Sequence, residues 1–228
     1  MHTLKILGLA AVLAAGIGGA SANVIVGTPG SGDVNGFPFG ANPGGRYQQI
    51  YGSDLFPEGL GSVVSLSFFS STSPTAPLAT GPYTLSLSTT SRGIDSLQDL
   101  LNTNVNATDA QVFDSNVGND STVVFSGVLP SIVNNLLTFT FQTPFYYDVT
   151  AGNLLLDVTS ADTSGPSVFL DLETDPAVSI SRLFVAGGGI TSEPAGLVTE
   201  IGVPEPASMA LLGAGLLGLA GLRRRRSV

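Results

Sequence analysis

Three stretches in the middle of the chain alternate apolar and polar residues with a period of two. Val64, Leu66 and Phe68 alternate with Ser65 and Ser67. Tyr83, Leu85 and Leu87 alternate with Thr84, Ser86 and Ser88, and Leu137, Phe139 and Phe141 alternate with Thr138, Thr140 and Gln142. Successive side chains of a strand point to opposite faces, so each stretch predicts a strand with one buried and one wet face. Shorter apolar runs predict further strands at 23–26, 47–51, 122–128, 154–159, 168–172, 183–186 and 197–202, the last following the three glycines at 187–189. Gly, Pro, Asn and Asp punctuate the gaps, and their density across 30–45 and 70–82 predicts loops there. One segment departs from the pattern. Ile94, Leu97, Leu100 and Leu101 recur at helical spacing, with Asp95 or Ser96 available as an N-cap, and predict one short helix over an edge or end of the sheets. The expected fold class is all-β: an antiparallel β-sandwich, jelly-roll-like, with one short helix and no internal repeat.

The two ends carry apolar runs of another kind. Lys5 precedes an uncharged run from Ile6 to Gly19, and Ala20-Ser21-Ala22 follows it. This is the three-part layout of a secretory signal, which the Sec translocon would carry and signal peptidase would cut between Ala22 and Asn23. The run of about 14 residues falls short of the roughly 20 that a spanning helix needs, which favours removal over anchoring. At the other end Val203-Pro204-Glu205-Pro206 leads into an uncharged stretch from Ala207 to Leu222, then Arg223, Arg224, Arg225 and Arg226. Two prolines flanking a Glu cannot continue a helix, so the motif predicts an extended linker. The stretch after it would make a transmembrane helix about 24 Å long, slightly short of a hydrocarbon core of about 30 Å. Local thinning and snorkelling arginines accommodate that mismatch. Four arginines hold their side of the membrane in the cytoplasm and place the middle of the chain outside. The chain therefore divides into a signal peptide at 1–22, an extracellular β domain at 23–202 and a tail at 203–228.

Charge follows the same division. Lys5 and the four terminal arginines leave only Arg46, Arg92 and Arg182 among the basic residues of the middle, while all 17 acidic residues lie between Asp33 and Glu205. Seventeen acids against three arginines give the exported portion a charge of −14 when Glu205 is counted. Such a surface repels nucleic acid and anionic lipid, and no nucleic-acid partner is expected. The chain has no cysteine, and its one histidine, His2, lies in the signal. Thiol catalysis, zinc–thiolate sites, Ser-His-Asp hydrolysis and lysine Schiff-base chemistry are all excluded from the middle, which points away from an enzyme.

Two further chemistries compete with plain structural readings. Asp171, Glu173 and Asp175 alternate, so their carboxylates could share one face and collect a calcium ion; equally, alternating acids describe the solvent face of a strand. Tyr47, Tyr51 and Tyr146 could stack on sugar rings with Asp148 and Asn153 as polar partners; equally, such tyrosines pack into a sheet core. A carbohydrate-binding or calcium-stabilised adhesion module is thus the second reading. A glycoside hydrolase with paired carboxylates is the third, although no spacing singles out a pair.

Pro204-Glu205-Pro206, the Gly/Leu/Ala-rich stretch and the terminal arginines resemble the PEP-CTERM sorting signal of Gram-negative bacteria. Two segments of the middle, Arg46-Tyr47-Gln48-Gln49-Ile50-Tyr51 and the run from Pro144 to Val158, are similar to motifs in a subset of these exported domains. The resemblance implies processing by exosortase, a membrane-embedded cysteine transpeptidase. It also implies transient anchoring, delivery to the periplasm, outer surface or extracellular matrix, and association with exopolysaccharide and biofilm. It transfers a fold and a location rather than a reaction.

Overall fold

The two-residue period does produce strands, and every pairing between them is antiparallel. The computed structural model describes residues 23–39, 45–57, 59–72, 77–161, 164–186 and 188–204. The predicted signal run and C-terminal helix lie outside them. Among the described residues no helix is long and apolar enough to cross a membrane. One sheet orders its strands as β1 (Val24–Val26), β14 (Thr199–Gly202), β4 (Gly61–Phe69), β8 (Leu136–Tyr147) and β7 (Ile132–Val133). A second runs β12 (Gly189–Glu193), β11 (Ile180–Ala186), β3 (Arg46–Tyr51), β9 (Asn153–Ser160), β5 (Tyr83–Thr90) and β6 (Thr122–Gly127). A small third sheet holds β13 (Gly196–Leu197), β10 (Leu170–Glu173) and β2 (Val34–Asn35). Together Asn23–Val203 form one compact unit.

The two large sheets share a core. Leu66 and Phe68 of β4 and Leu137 and Phe139 of β8 belong to one buried cluster with Tyr83, Leu85 and Leu87 of β5 and Leu154, Leu156 and Val158 of β9. The Phe39 ring lies 4.9 Å from Phe139, 5.3 Å from Phe68 and 5.8 Å from Tyr83, so a single aromatic bridges strands of both sheets. Along one side β6 comes beside β8. There the Gln142 side chain imitates a strand: its Oε1 accepts from the Ser126 N–H at 3.2 Å and its Nε2 donates to the Ser126 carbonyl at 3.0 Å.

A second apolar cluster covers the other face of the six-stranded sheet. Ile50, Leu155 and Leu183 from β3, β9 and β11 meet Leu97, Val112 and Phe113. These covering residues come from a segment that holds two short helices, α1 (Asp99–Thr103) and α2 (Asp109–Asp114), rather than the one helix expected. Ile94 and Leu97 do pack in this layer, but from turns. Asp95 has φ +64°, a conformation that cannot start a right-handed helix, and the residue before α1 is Gln98, with no side-chain cap. The missed helix had a legible start: Thr108 accepts from the Gln111 N–H while the Gln111 side chain returns to the Thr108 N–H, a complete capping box.

Other expectations shift by a residue or a turn. Val63, not Val64, is buried, because the β4–β8 register breaks between Val63 and Ser65 and leaves Val64 in the irregularity. The loop expected across 30–45 contains β2, which pairs with β10. Strand β10 covers 170–173 rather than 168–172, and β11 begins at Ile180. Asn134 and Asn135, both at positive φ, form a hairpin turn between β7 and β8 that the apolar pattern did not signal.

Thr108→Ala is expected to lower the unfolding free energy by about 1 kcal/mol through loss of the cap. Val105→Ala, nearby and 83% exposed, should change it by less than about 0.5 kcal/mol. Urea denaturation of the two variants separates the cases.

Candidate functional site

Strand β3 organises the polar interior. It lies between β9 and β11 with apolar layers on both faces, so its alternate side chains enter two different environments. Arg46 and Gln48 face the helical layer. The Arg46 guanidinium reaches Asp157 Oδ1 at 3.0 Å and Oδ2 at 2.5 Å, reaches Asp114 at 2.6 Å, and lies 5.2 Å from the centre of the Phe113 ring. Burial alone would lower its pKa, but the bonds and charges of Asp157 and Asp114 outweigh that and raise it. Gln48 donates to the Phe113 carbonyl and accepts from Asn116, which also donates to the Leu97 carbonyl. One amide chain thereby pins both helices' flanks to the sheet.

Tyr47, Gln49 and Tyr51 face the opposite way, into the shared core. The Gln49 side chain accepts from the Leu197 N–H at 2.7 Å and donates to the Leu197 carbonyl at 3.0 Å, satisfying both backbone groups of that residue. Its Oε1 also accepts from the Tyr47 hydroxyl at 2.6 Å, and the Tyr51 hydroxyl meets Thr199 Oγ1 at 2.9 Å. Arg182 of β11 sits opposite Gln49 of β3 on one side and Glu193 of β12 on the other. It bonds Glu193 and stacks 4.9 Å from the Phe184 ring. Burial raises the Tyr47 and Tyr51 pKa values far above the ordinary phenol value; at Tyr47 the neighbouring Arg182 charge opposes part of that rise.

The sugar-binding set is therefore not assembled. Tyr47 and Tyr51 are sealed in the core, where no ring face is open to a ligand. Asn153 is a structural bracket: its Oδ1 accepts from the Ser53 N–H and its Nδ2 donates to the Arg92 carbonyl. Asp148 closes the turn after β8 by accepting from both the N–H and the hydroxyl of Thr150, and that hydroxyl bond is the main reason its pKa is lowered. Tyr146 alone stands out in solvent, 74% exposed.

The acidic triplet does not form a solvent face, since Asp175 alone of the three is exposed. Asp171 and Glu173 are buried, and their carboxylates point at the backbone of the loop after β1. Asp171 Oδ2 accepts from the Gly30 N–H at 2.7 Å, and Glu173 Oε2 accepts from the Thr28 N–H at 2.8 Å. Glu173 Oε1 takes the Asp175 N–H, and Asp175 Oδ1 takes the Ala177 N–H. These oxygens serve as caps for main-chain donors. Among the described residues no group of three His, Cys, Asp or Glu side chains is placed to hold a metal ion.

Of the sorting elements, Asn23 and Pro204 fall within the described residues. Asn23 is exposed and its amide reaches the Glu200 carboxylate. Val203 is buried and Pro204 exposed, so the packed core ends immediately before the motif. Ala20, Ala22, Glu205, Pro206 and Arg223 to Arg226 lie outside the described residues. Residues 202–226 match the PEP-CTERM protein-sorting motif, which implies processing by exosortase and export to the cell envelope. No curated protein matches the chain in sequence.

Two outcomes follow from this geometry. Gln49→Met keeps the volume but takes the amide from the Leu197 N–H, while the Leu197 carbonyl keeps Thr199 Oγ1 at 2.8 Å, and should cost about 1–3 kcal/mol in urea unfolding; Gln142→Met at the rim should cost under about 1 kcal/mol. The buried phenols also set an alkaline limit. Tyr147, which donates to the Gly152 carbonyl, has its pKa pushed up to about 12, first by burial and then by the Asp148 charge. A raised folded-state pKa contributes stability below the unfolded value of about 10 that is lost as pH climbs through the folded one. Each of Tyr47 and Tyr51 removes up to about 1.4 kcal/mol per pH unit above pH 10. A cooperative transition between about pH 10 and 12, seen together in tyrosinate absorbance and circular dichroism, is expected; phenols titrating near 10 without unfolding would contradict it.

Proposed function

We propose that the chain is a non-catalytic protein of the cell envelope or extracellular matrix, exported through the inner membrane, held there briefly by its C-terminal helix and released by exosortase. The observation that carries this reading is the sorting-motif match over 202–226, beginning in the last residue of β14. Two antiparallel sheets on one core fit a jelly-roll-type β-sandwich, a fold able to persist outside the cell without disulfides. Association with exopolysaccharide in a biofilm follows from the company such sorting signals keep.

Two observations support the non-catalytic part. Between Asn23 and Val203 the chain has no histidine, cysteine or lysine. Its buried charges are engaged in architecture: Arg46 with Asp157, Arg182 with Glu193, and Asp171 and Glu173 with backbone N–H groups. Charges consumed by structural bonds are poor candidates for proton transfer.

Replacing Pro204-Glu205-Pro206 with alanines is expected to leave uncut precursor in the membrane fraction, while the native chain is recovered with a shortened C-terminus by mass spectrometry. Unchanged processing of the variant would overturn the sorting role.

A further inference from the structure

Of the chain's asparagines, Asn35 alone is followed by glycine. That pair carries a chemistry of its own. The main-chain nitrogen of a following residue can attack an asparagine side-chain carbonyl, and a glycine has no Cβ to obstruct the approach or the backbone rotation it needs. Asn35 ends β2, the outer strand of the three-stranded sheet, and is half-buried beside the exposed Val34. Asp33 accepts from the Leu172 N–H and Asn35 stands opposite Leu170. Alternation along the ladder therefore turns Asp33 and Asn35 toward β10, and Val34 and Gly36 toward the open edge. The Gly36 nitrogen is left out of the ladder. The Asn35 side chain spans the Gly36 peptide, because its Oδ1 accepts from the Phe37 N–H at 2.7 Å. Its Nδ2 donates to no described residue. Buried asparagines differ on both counts: Asn116 and Asn153 have Nδ2 tied to the Leu97 and Arg92 carbonyls, and Val117 and Leu154 follow them.

We infer that Asn35-Gly36 is a site of spontaneous deamidation, with water as its co-reactant. The Gly36 nitrogen adds to the Asn35 side-chain carbonyl carbon and gives up its proton. The bond from that carbon to Nδ2 breaks, ammonia leaves with the proton, and a five-membered imide closes. Water then opens the ring, and nothing is oxidised or reduced. Attack at the side-chain carbonyl gives aspartate on an ordinary main chain. Attack at the main-chain carbonyl gives isoaspartate, whose backbone runs through the side chain and is longer. The two products act differently on the core. Aspartate keeps the backbone length and an oxygen for the Phe37 N–H. Isoaspartate lengthens the chain just before Phe37, which stacks 5.2 Å from Phe184, and Phe39, which packs against Phe68, Phe139 and Tyr83. Close-packed rings tolerate little displacement, so the longer backbone loosens this aromatic segment. The site dates the domain chemically, whatever compartment holds it.

The test ages the full chain, purified in detergent, in mildly alkaline buffer, beside a sample unfolded in urea. An isoaspartyl methyltransferase labels the isoaspartate, and peptide mass spectrometry locates it. The folded chain is expected to form isoaspartate at Asn35 at least about tenfold faster than at any other asparagine. The melting temperature of the aged sample should fall as the labelled fraction grows. Asn35→Gln, which would need a less favourable six-membered ring, should lose the label and hold its melting temperature through ageing. Fresh Asn35→Asp, with backbone length unchanged, should melt close to the native chain. Label at Asn35 in urea but none in the folded sample overturns the inference, because the fold would then hold the amide away from the nitrogen. So does label shared evenly among the asparagines. Label at Asn35 with melting unchanged overturns the loosening of the core.

Discussion

The side-chain amide of Gln49 bonds both the N–H and the carbonyl of Leu197, and the passage of the chain from one large sheet to the other depends on that pair. Strand β12 belongs to the six-stranded sheet and β14 to the five-stranded one, so the chain changes sheets between them, at β13. A backbone leaving one ladder for another carries polar groups through the interior, where an unpaired one costs about 1–3 kcal/mol. Gln49 supplies partners for both groups from the middle of β3, and Thr199 Oγ1 adds a second donor to the carbonyl. The approach is close enough that a Cβ on Gly196 would lie 2.9 Å from Gln49 Cδ, so glycine is required at the crossing. Gln48 does the same for the helical layer from the other face of the strand. Two adjacent amides, pointing opposite ways, hold three layers in register.

How much of this was readable beforehand depended on whether the signal was local. The strands with clean alternation, such as β5 and β8, were legible because burial on one face writes a period of two into the residues. Strand β3 was placed to within a residue, but the task of its Gln pair was not legible, because nothing local tells that Leu197, 148 residues away, needs an amide. The bonds of Asp171 and Glu173 were illegible for the same reason: their partners are backbone N–H groups of a loop some 140 residues earlier, invisible to composition. The Ile94–Leu101 segment misled differently. Its helical spacing reflects a one-sided need for burial, and turns met that need as well as a helix would. The capping box at Thr108 and Gln111 was present in the sequence and simply outweighed by the stronger apolar spacing before it.

The tyrosines divide along the same line. Four serve the interior with their rings packed, and the hydroxyls of Tyr47, Tyr51 and Tyr147 are tied to Gln49, Thr199 and the Gly152 carbonyl; Tyr146 stands outside. Residue type alone could not separate them. Parity within β8 could, since Tyr147 shares the face of Phe145 and Tyr146 cannot.

The three arginines have a consequence for survival outside the cell. With lysine absent from the middle of the chain, they are the sole points at which a trypsin-like protease could cut it. Arg46 and Arg182 lie within inner strands of a sheet and are clamped by carboxylates, and Arg92 donates twice to the Ser115 carbonyl. Proteolysis favours exposed, flexible segments that can open locally into an enzyme's cleft. Arg46 and Arg182 stand in paired strands, while Arg92, in the loop after β5, is held by its bonds to the Ser115 carbonyl. Cleavage at Arg46 or Arg182 therefore requires their strands to open first.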